Sequence, residues 1–334
     1  MYAPRSMRAN AALALVLLGA TGCPSAYLNA VNQFGQAAQA GAGSLGTAFD
    51  LSSQLCRDRA DLAYLLPRFK AQYGQPLSFT ADPLRSKWFS DKTAGPADRT
   101  SWDDHCNAIA DADKVHRAGL AMIGAYGWAL GAVVGQGKFE GNDLRESTAA
   151  ISSVVQTLGG GAAAPYTGAI AGVGGPLTAM TDFLIAKIAG NKLREKIAQA
   201  DPIYQKILDA LLAYLDAAGE MQYLDLQSSL GNVLDEIELG LGPQGAFADP
   251  VRGLEYYKFA VYWEKRLRFY RRSIDTTRKL IQDLKSAHAA LKHAGDADGS
   301  PNVDDLKKMG GFASQVVDTA NYFRTSLAPP LGVP

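Results

Sequence analysis

Few residues in this sequence have the types and spacing that a catalytic or ligand-binding site requires. Gly41, Gly43 and Gly46 match the G-x-G-x-x-G pattern of dinucleotide-binding loops. That pattern binds a nucleotide only where it follows a strand and opens a helix, and no apolar strand precedes Gly41. Ser44 lacks the first glycine of a nucleophile elbow, because Ala42 stands at that position. We therefore predict neither a nucleotide site nor a serine nucleophile here.

The histidines and the acidic clusters do not have the spacing of metal ligands. His105 and His116 lie about three turns apart in one predicted helix, or about 16 Å by the helical rise, which is too far for one metal ion. The acidic run 296–304 resembles a calcium loop. However, Pro301 stands where glycine is required, and Lys307 replaces the closing glutamate. We predict no metal, no cofactor and no enzymatic activity.

Composition excludes further classes of protein. The chain has 334 residues, with 33 Lys and Arg against 33 Asp and Glu, so it has no bulk charge that would attract nucleic acid. Hydrophobic residues make up 47% of the chain and charged residues 20%, a balance that argues against disorder. The length allows one large domain or two ordinary ones.

The first residues have the plan of a secretory signal, with basic residues, an apolar run over 11–20 and a small-residue ending. The ending Ala-Thr-Gly-Cys at 20–23 resembles the lipobox of bacterial lipoproteins, although Ala20 stands where that family usually has leucine. The resemblance implies that the signal peptide 1–22 is removed and that Cys23 is acylated, with palmitate among its acyl chains. Pro24 is not the aspartate of inner-membrane members, which implies the outer membrane, facing the periplasm. The alternatives are an ordinary signal cleaved nearby and a retained anchor helix.

Export also bears on the two remaining cysteines. In oxidising surroundings Cys56 and Cys106 are expected to form a disulfide. Closing a loop of about 50 residues contributes about 4 kcal/mol in the chain-entropy model. The bridge would also remove the thiolate that catalysis by Cys106 beside His105 needs. The alternative is a pair of buried free thiols.

Helical periodicity dominates the rest of the chain, and no segment shows convincing alternation of period two. We therefore predict an all-α fold, an elongated bundle of about five to seven helices. Residues 23–53 are predicted to be a lipidated tether or first helix. Residues 54–327 are predicted to form a single helical-bundle domain, and residues 328–334 a disordered tail.

Capping and breaker residues set the predicted helix bounds. Residues 72–100, rich in Pro, Gly, Asp and Ser, are predicted to be the longest loop. Ser101 and Asp104 form a capping box, which predicts a helix from there to Val134. Further helices are predicted over 202–239, 256–291 and 303–326.

The predicted helix 256–291 carries a heptad pattern, which is typical of a long helix in a bundle. One seam position is occupied by Ala260, Leu267, Ile274, Ile281 and His288, and the other by Tyr256, Trp263, Tyr270, Thr277, Leu284 and Leu291. The pattern predicts that His288 is a buried seam residue, whereas His293 is predicted to lie at the surface.

Local charge predicts a pair of neighbouring helices. Residues 201–250 contain nine acidic side chains and one lysine, a net charge of −8, and residues 252–292 contain eleven basic and four acidic side chains, a net charge of +7. The two segments should therefore pack antiparallel, with complementary faces. The alternative is an anion-binding face for lipid headgroups or an acidic partner. Its residues would be Arg266, Arg268, Arg271 and Arg272.

Two runs without charge flank a polar turn at 138–146, and both are of a length that matters for membranes. Small residues recur in them at four-residue spacing, which lets another helix backbone approach closely. These are Gly127, Gly131, Gly135, Gly160, Ala164, Gly168 and Gly172. We favour a Gly/Ala-rich central hairpin buried in the bundle, because Pro165 and the glycines at 159–161 would break a spanning helix. The alternative is a hairpin over 118–181 that enters a bilayer.

These observations predict a lipid-anchored protein of the cell envelope that binds or scaffolds another envelope component without catalysis. Its predicted partners are the membrane, through the N-terminal lipid, and an envelope protein, with no nucleic acid. The first alternative is a membrane-inserting, pore-type helical protein that uses the hairpin 118–181. The second is an enzyme whose site carries no sequence motif. The sequence leaves the oligomeric state open.

Overall fold

The structure, a computed structural model, describes residues 24–71, 96–136, 193–241, 250–296 and 303–326. All of these residues are helical, which confirms the all-α prediction. In chain order the elements are α1 (Pro24–Ala71), α2 (Pro96–Gln136), α3 (Leu193–Tyr214), a π-helix (Leu215–Glu220), α4 (Met221–Leu241), α5 (Pro250–Asp296) and α6 (Val303–Ser326). None of the helices described contains a stretch long and apolar enough to cross a membrane.

Helix α1 is the centre of the bundle. It has 48 residues, so it is about 70 Å long by the helical rise, and it packs against α2, α4, α5 and α6. The predicted boundary between residues 53 and 54 falls inside this continuous helix. Side chains before that boundary, including Val31, Phe34 and Phe49, are fully buried. Residues 24–53 are therefore the first helix of the bundle and not a tether outside it.

The predicted loop 72–100 extends further towards the C-terminus than the structure allows, because its last residues belong to a helix. Helix α2 begins at Pro96, five residues before the predicted cap Ser101, which lies inside the helix. Proline favours the first helical position, because its fixed backbone angle suits the helix and its missing N–H would have no partner there. Pro202 similarly lies inside α3, which begins at Leu193. The predicted helix 303–326 is confirmed at both ends.

The apolar side chains form two cores along the bundle. The core nearer Pro24 includes Val31, Phe34, Ile123, Tyr126, Leu208 and Leu284. The core nearer the opposite end includes Leu55, Leu62, Leu230, Val233, Phe259 and Trp263. The heptad seam of α5 contributes to both cores and is buried from Trp263 to Leu291, except at the partly buried Leu267. The seam prediction, with His288 buried in it, is confirmed.

Helix α5 runs antiparallel to the acidic helices, as the charge pattern predicts. Contacts join Asp201 to Lys292, Asp209 to Lys285, Asp216 to Arg278, Glu220 to Arg271 and Glu238 to Tyr256. As the acidic residues advance along the chain, their partners recede along α5. Exposed ion pairs contribute little stability, so this series selects the neighbour and its direction more than it strengthens the fold.

Helices α1 and α2 form an antiparallel pair joined by a disulfide. Cys56 and Cys106 are bonded, with their Cα atoms 5.6 Å apart, and both residues are buried. The pair fastens the C-terminal half of α1 to the N-terminal half of α2.

Glycine allows α1 and α2 to touch through their backbones. A Cβ atom on Gly127 would lie 2.6 Å from the carbonyl oxygen of Gly35 and 2.9 Å from the Cβ of Ala38. At Gly131 the nearest atom, Oδ1 of Asn32, would be 3.4 Å away. The predicted close approach is therefore present at Gly127, with α1 as the neighbour. The small residues at 160–172 lie outside the described residues, and the side-chain environment of position 135 is not described.

This contact predicts opposite effects for two Gly→Ala substitutions. Gly127→Ala should lower the free energy of unfolding by about 1–3 kcal/mol, because the added methyl group overpacks the α1–α2 contact. Gly43→Ala should raise it by about 0.5–1 kcal/mol, because open space surrounds that position and alanine favours the helix. Urea denaturation of both variants measures the difference. An equal response at the two positions would contradict the close approach.

Candidate functional site

The described side chains closest to a catalytic arrangement come from three helices. His288 of α5 lies with its Nε2 atom 3.0 Å from the hydroxyl of Tyr126 on α2. Its Nδ1 atom lies 2.9 Å from Oδ1 of Asp201 on α3. Because an ionised carboxylate only accepts hydrogen bonds, we assign the imidazole proton to Nδ1. Nε2 then accepts a hydrogen bond from the hydroxyl of Tyr126. The order hydroxyl, imidazole, carboxylate is that of a nucleophilic triad.

The protonation states of this group follow from burial and pairing. The hydrogen bond from His288 is the main cause that lowers the pKa of Asp201 to about 2, and Gln205 and Lys292 act in the same direction. Burial lowers the pKa of His288, although Asp201 opposes that shift. Burial also raises the pKa of Tyr126 well above its usual value. The group therefore holds a carboxylate, a neutral imidazole and a neutral phenol.

This group is closed to substrate. Tyr126 and His288 are both 0% exposed. The ring of Tyr204 stacks on His288 with centroids 4.3 Å apart, and the ring of Phe34 meets its edge at 5.5 Å. A cavity in the described part of the chain lies elsewhere, beside Ser52, Gly219 and Tyr270, and its volume of about 10 Å³ suits at most one water molecule. The Tyr126–His288–Asp201 group thus joins three helices and has no room for a reaction.

A second buried polar group joins α1 to α5. Asp58 receives hydrogen bonds from Nε and Nη2 of Arg266, the latter at 2.8 Å, and from the hydroxyl of Tyr270 at 2.7 Å. The remaining Nη1 atom of Arg266 donates to Tyr262 at 3.0 Å. Such a bidentate arginine–carboxylate pair is strong, and it fixes the relative orientation of the two side chains. Breaking a buried pair of this kind costs about 3–5 kcal/mol, because the other charge is left without a partner.

The four arginines singled out from the sequence do not converge on one open surface. Arg266 is bound to Asp58, Arg268 contacts Glu264, and Arg271 contacts Glu220 and Asp275. Arg272 is exposed on α5. Three of the four guanidinium groups are therefore paired with carboxylates of this chain and are not gathered around a site for an external anion.

The residues considered for metal binding also lie apart. His116 is fully buried, whereas His105 is partly exposed, with its Nε2 atom 3.3 Å from Nε2 of Gln222. No group of three or more His, Cys, Asp or Glu side chains within the described ranges could hold a metal ion. His293 is exposed, as predicted, and its Nδ1 atom lies 3.4 Å from Asp305. The acidic run after Asp296 falls outside the described residues.

An exposed group of apolar side chains lies where α4 ends and α5 begins. Leu239, Val251, Leu254 and Tyr257 are 54–69% exposed. Because α5 runs antiparallel to α1, this group lies at the end of the bundle opposite to Pro24. Two acidic side chains, Asp235 and Glu238, are exposed on the last turns of α4. We call the four apolar residues the distal apolar surface.

Helix ends that flank the uncharged segment lie together at the other end of the bundle. Gly131, near the end of α2, packs close to Asn32, and Arg194, at the start of α3, lies over the ring of Tyr27 at 5.1 Å. The end of α2 at residue 136 and the start of α3 at residue 193 therefore both lie on the same end of the bundle as Pro24. Cys23 and the uncharged residues 147–181 lie outside the described residues.

Comparison with family models, with curated proteins and with solved structures finds no match to this chain. The function must therefore be argued from its own residues.

Sequence reasoning missed most of the buried polar partners. Asp58 and Tyr126 were not singled out, although each lies on the inner face of a helix. A usable signal was present for the tyrosines, since Tyr204 and Tyr214 share the apolar face of α3 with Ile207 and Leu211. The acidic partners gave no signal, because an aspartate in a helical pattern usually faces solvent.

The partly buried carboxylate of Asp201 predicts a pH-dependent contribution to stability. Its pKa is lowered on folding, so the contribution is fully present above pH 4 and is lost as the pH falls towards 2. Asp201→Asn should lower the free energy of unfolding by about 1–2 kcal/mol at pH 7, after allowance for partial solvent screening.

Urea denaturation at pH 7 and at several values below pH 4 measures the effect. The matched control is Asp209→Asn, whose pair with Lys285 is more exposed and should contribute under about 0.5 kcal/mol. A loss for Asp201→Asn that stays constant down to pH 2 would show that its charge has no part in the effect.

Proposed function

We propose that this protein is a lipid-anchored component of the bacterial cell envelope. In this proposal Cys23 holds the bundle on the outer membrane, facing the periplasm, and the opposite end binds another envelope protein without catalysis. The observation that carries the proposal is the distal apolar surface, which lies at the end of the bundle farthest from Pro24.

The start of α1 supports an anchored and upright arrangement. Helix α1 begins at Pro24, directly after the residue expected to carry the lipid, and continues to Ala71. No flexible linker separates the two, so an acylated Cys23 would fix the orientation as well as the location of the bundle. The distal apolar surface would then stand about 70 Å from the lipid by the helical rise.

The character of the distal apolar surface supports protein recognition. Exposed aromatic and aliphatic side chains that lie together commonly mark interaction sites. Tyr257, at 63% exposed, offers the large amphipathic ring that is enriched at such interfaces. Because Asp235 and Glu238 lie nearby, the partner is expected to present an apolar patch beside basic side chains. The polar groups around His288 and Asp58 are bonded within the bundle and are not presented for recognition.

Site-specific crosslinking in cells tests this function. A photo-crosslinking residue at position 257 should yield one discrete adduct. The same residue at Val317, a similarly exposed apolar position on α6, should yield none. Cys23→Ala should abolish acylation, seen as loss of the lipid mass from the intact protein, and should lower the yield of the adduct. Identical products at positions 257 and 317, or an unmodified chain that still begins at Met1, would overturn the proposal.

A second candidate, membrane insertion by the uncharged segment, rests on a different observation. The helix ends at 136 and 193, between which the uncharged residues 147–181 lie in the sequence, are on the same end of the bundle as Pro24. The first half of the predicted hairpin, residues 118–136, belongs to α2, which packs on α1. Only the second half is then left for a bilayer.

Dye release from liposomes tests this candidate. Micromolar protein should release the dye, and Gly168→Arg should abolish release, because a charge inside the bilayer is costly. Gly310→Arg, at an open position on α6, serves as the control and should leave release unchanged. If the unaltered protein releases no dye, membrane insertion is excluded under those conditions.

A further inference from the structure

Two buried titratable side chains share one tyrosine between α2 and α3. Asp113 and His116 lie three residues apart on α2, and both are 0% exposed. The hydroxyl of Tyr214, the last residue of α3, donates to Oδ1 of Asp113 at 2.7 Å. The ring of Tyr214 stacks on the imidazole of His116, with centroids 3.7 Å apart. Neither titratable residue belongs to the proposed binding surface.

Each of these side chains has a buried atom that lacks a hydrogen-bond partner among the described residues. Those atoms are Oδ2 of Asp113 and Nε2 of His116. The other imidazole nitrogen, Nδ1, lies 2.7 Å from the carbonyl oxygen of Ala112, so it carries the proton of the neutral ring. A charge on either side chain would therefore be buried without adequate compensation.

The surrounding helices supply no net charge that would stabilise an ion here. From α1, Asp50 faces the site, and it is paired with Arg117 of α2 at the surface. Arg117 lowers the pKa of Asp113 and Asp50 raises it, so their effects oppose each other. The hydrogen bonds from Tyr214 and from the backbone of Ser53 also lower that pKa, but burial, which raises it, has the largest effect. The side of His116 away from Tyr214 faces the ring of Phe49, at a centroid distance of 6.0 Å.

Burial consequently favours the neutral form of both groups. It raises the pKa of Asp113 to about 7, against a usual value of 3.8. It lowers the pKa of His116 to about 4, against a usual value of 6.5. In the folded bundle the pKa of Asp113 is therefore higher than that of His116. In an unfolded chain the order is reversed, and the histidine keeps its proton to higher pH than the aspartate.

We propose that Asp113 and His116 form a compensating pair, in which folding removes a proton from His116 and places one on Asp113. In the unfolded chain the pair is an imidazolium and a carboxylate. In the bundle it is a neutral imidazole and a carboxylic acid. The proton leaves Nε2 for solvent, and another binds the carboxylate from solvent, so each state holds one proton and folding takes up none.

As a consequence, the pair as a whole leaves the free energy of unfolding independent of pH between about pH 4 and 6.5. A buried neutral histidine alone would make the bundle more stable as the pH rises through this range, because the unfolded state binds the extra proton. A buried protonated aspartate alone would make it less stable, because the folded state binds the extra proton. Together the two slopes cancel.

Single and double variants separate the two slopes. The constants for unfolding of wild type, Asp113→Asn, His116→Phe and the double variant are measured by urea denaturation between pH 4.5 and 6, and each variant is divided by wild type to remove other titrations. From the two shifts, the ratio for Asp113→Asn should fall about 20-fold across this range, and the ratio for His116→Phe should rise about 20-fold. The ratio for the double variant should stay constant.

The matched control is Asp111→Asn, a carboxylate on the same helix that is paired with Lys114 at the surface, and its ratio should also stay constant. The proposal is overturned if either single-variant ratio changes by less than threefold or if both change in the same direction. If a variant does not fold, NMR titration of the wild-type carboxyl and imidazole decides. Asp113 should titrate near neutral pH and His116 near pH 4, and a midpoint below 5 for Asp113 or above 6 for His116 would overturn it.

Discussion

The burial of α1 among the other helices is the constraint on which the rest of the structure depends. Its backbone touches α2 at Gly35, and its Asp58 receives the guanidinium of Arg266 from α5. At the first contact there is no space for a side chain, and at the second the loss of either partner would leave a buried charge unpaired. Together they fix the depth and the direction of two long helices against a third. The smaller helices α4 and α6 then fill the remaining faces of α1.

Features with strong local signals could be predicted from the sequence. The last helix was predicted with both its ends, because breaker residues precede Val303 and apolar residues recur at helical spacing up to Ser326. The seam of α5 was predicted because aromatic and aliphatic residues repeat there over five heptads. The antiparallel neighbour of α5 was predicted because opposite charges were segregated into two long segments. The disulfide was predicted from export and is present between Cys56 and Cys106.

Features that depend on tertiary contacts could not be predicted. The continuity of α1 was missed because its glycines weaken helix propensity, and packing against α2 overrides that weakness. Arg266 was singled out as an anion-binding residue, and the anion it binds is the carboxylate of Asp58, far away in the sequence. Asp113 and Asp201 were missed as interior groups, since only the partners that surround them make their burial possible. The outer surface that the proposed function uses was not predicted at all.

The π-helix between α3 and α4 has a consequence for how the chain tolerates changes of length. A π-helical turn accommodates one residue more than an α-helical turn, so it rotates everything that follows by about 100° about the helix axis. Before it, Tyr204 and Leu208 enter the core near Pro24, and after it, Leu230 and Val233 enter the core around Leu62. Residues 215–220 therefore act as a phase adjustment. A regular α-helix over the same residues would turn the apolar stripe of α4 away from α1, whereas the loss of any one of them would restore a regular helix and leave that stripe facing α1.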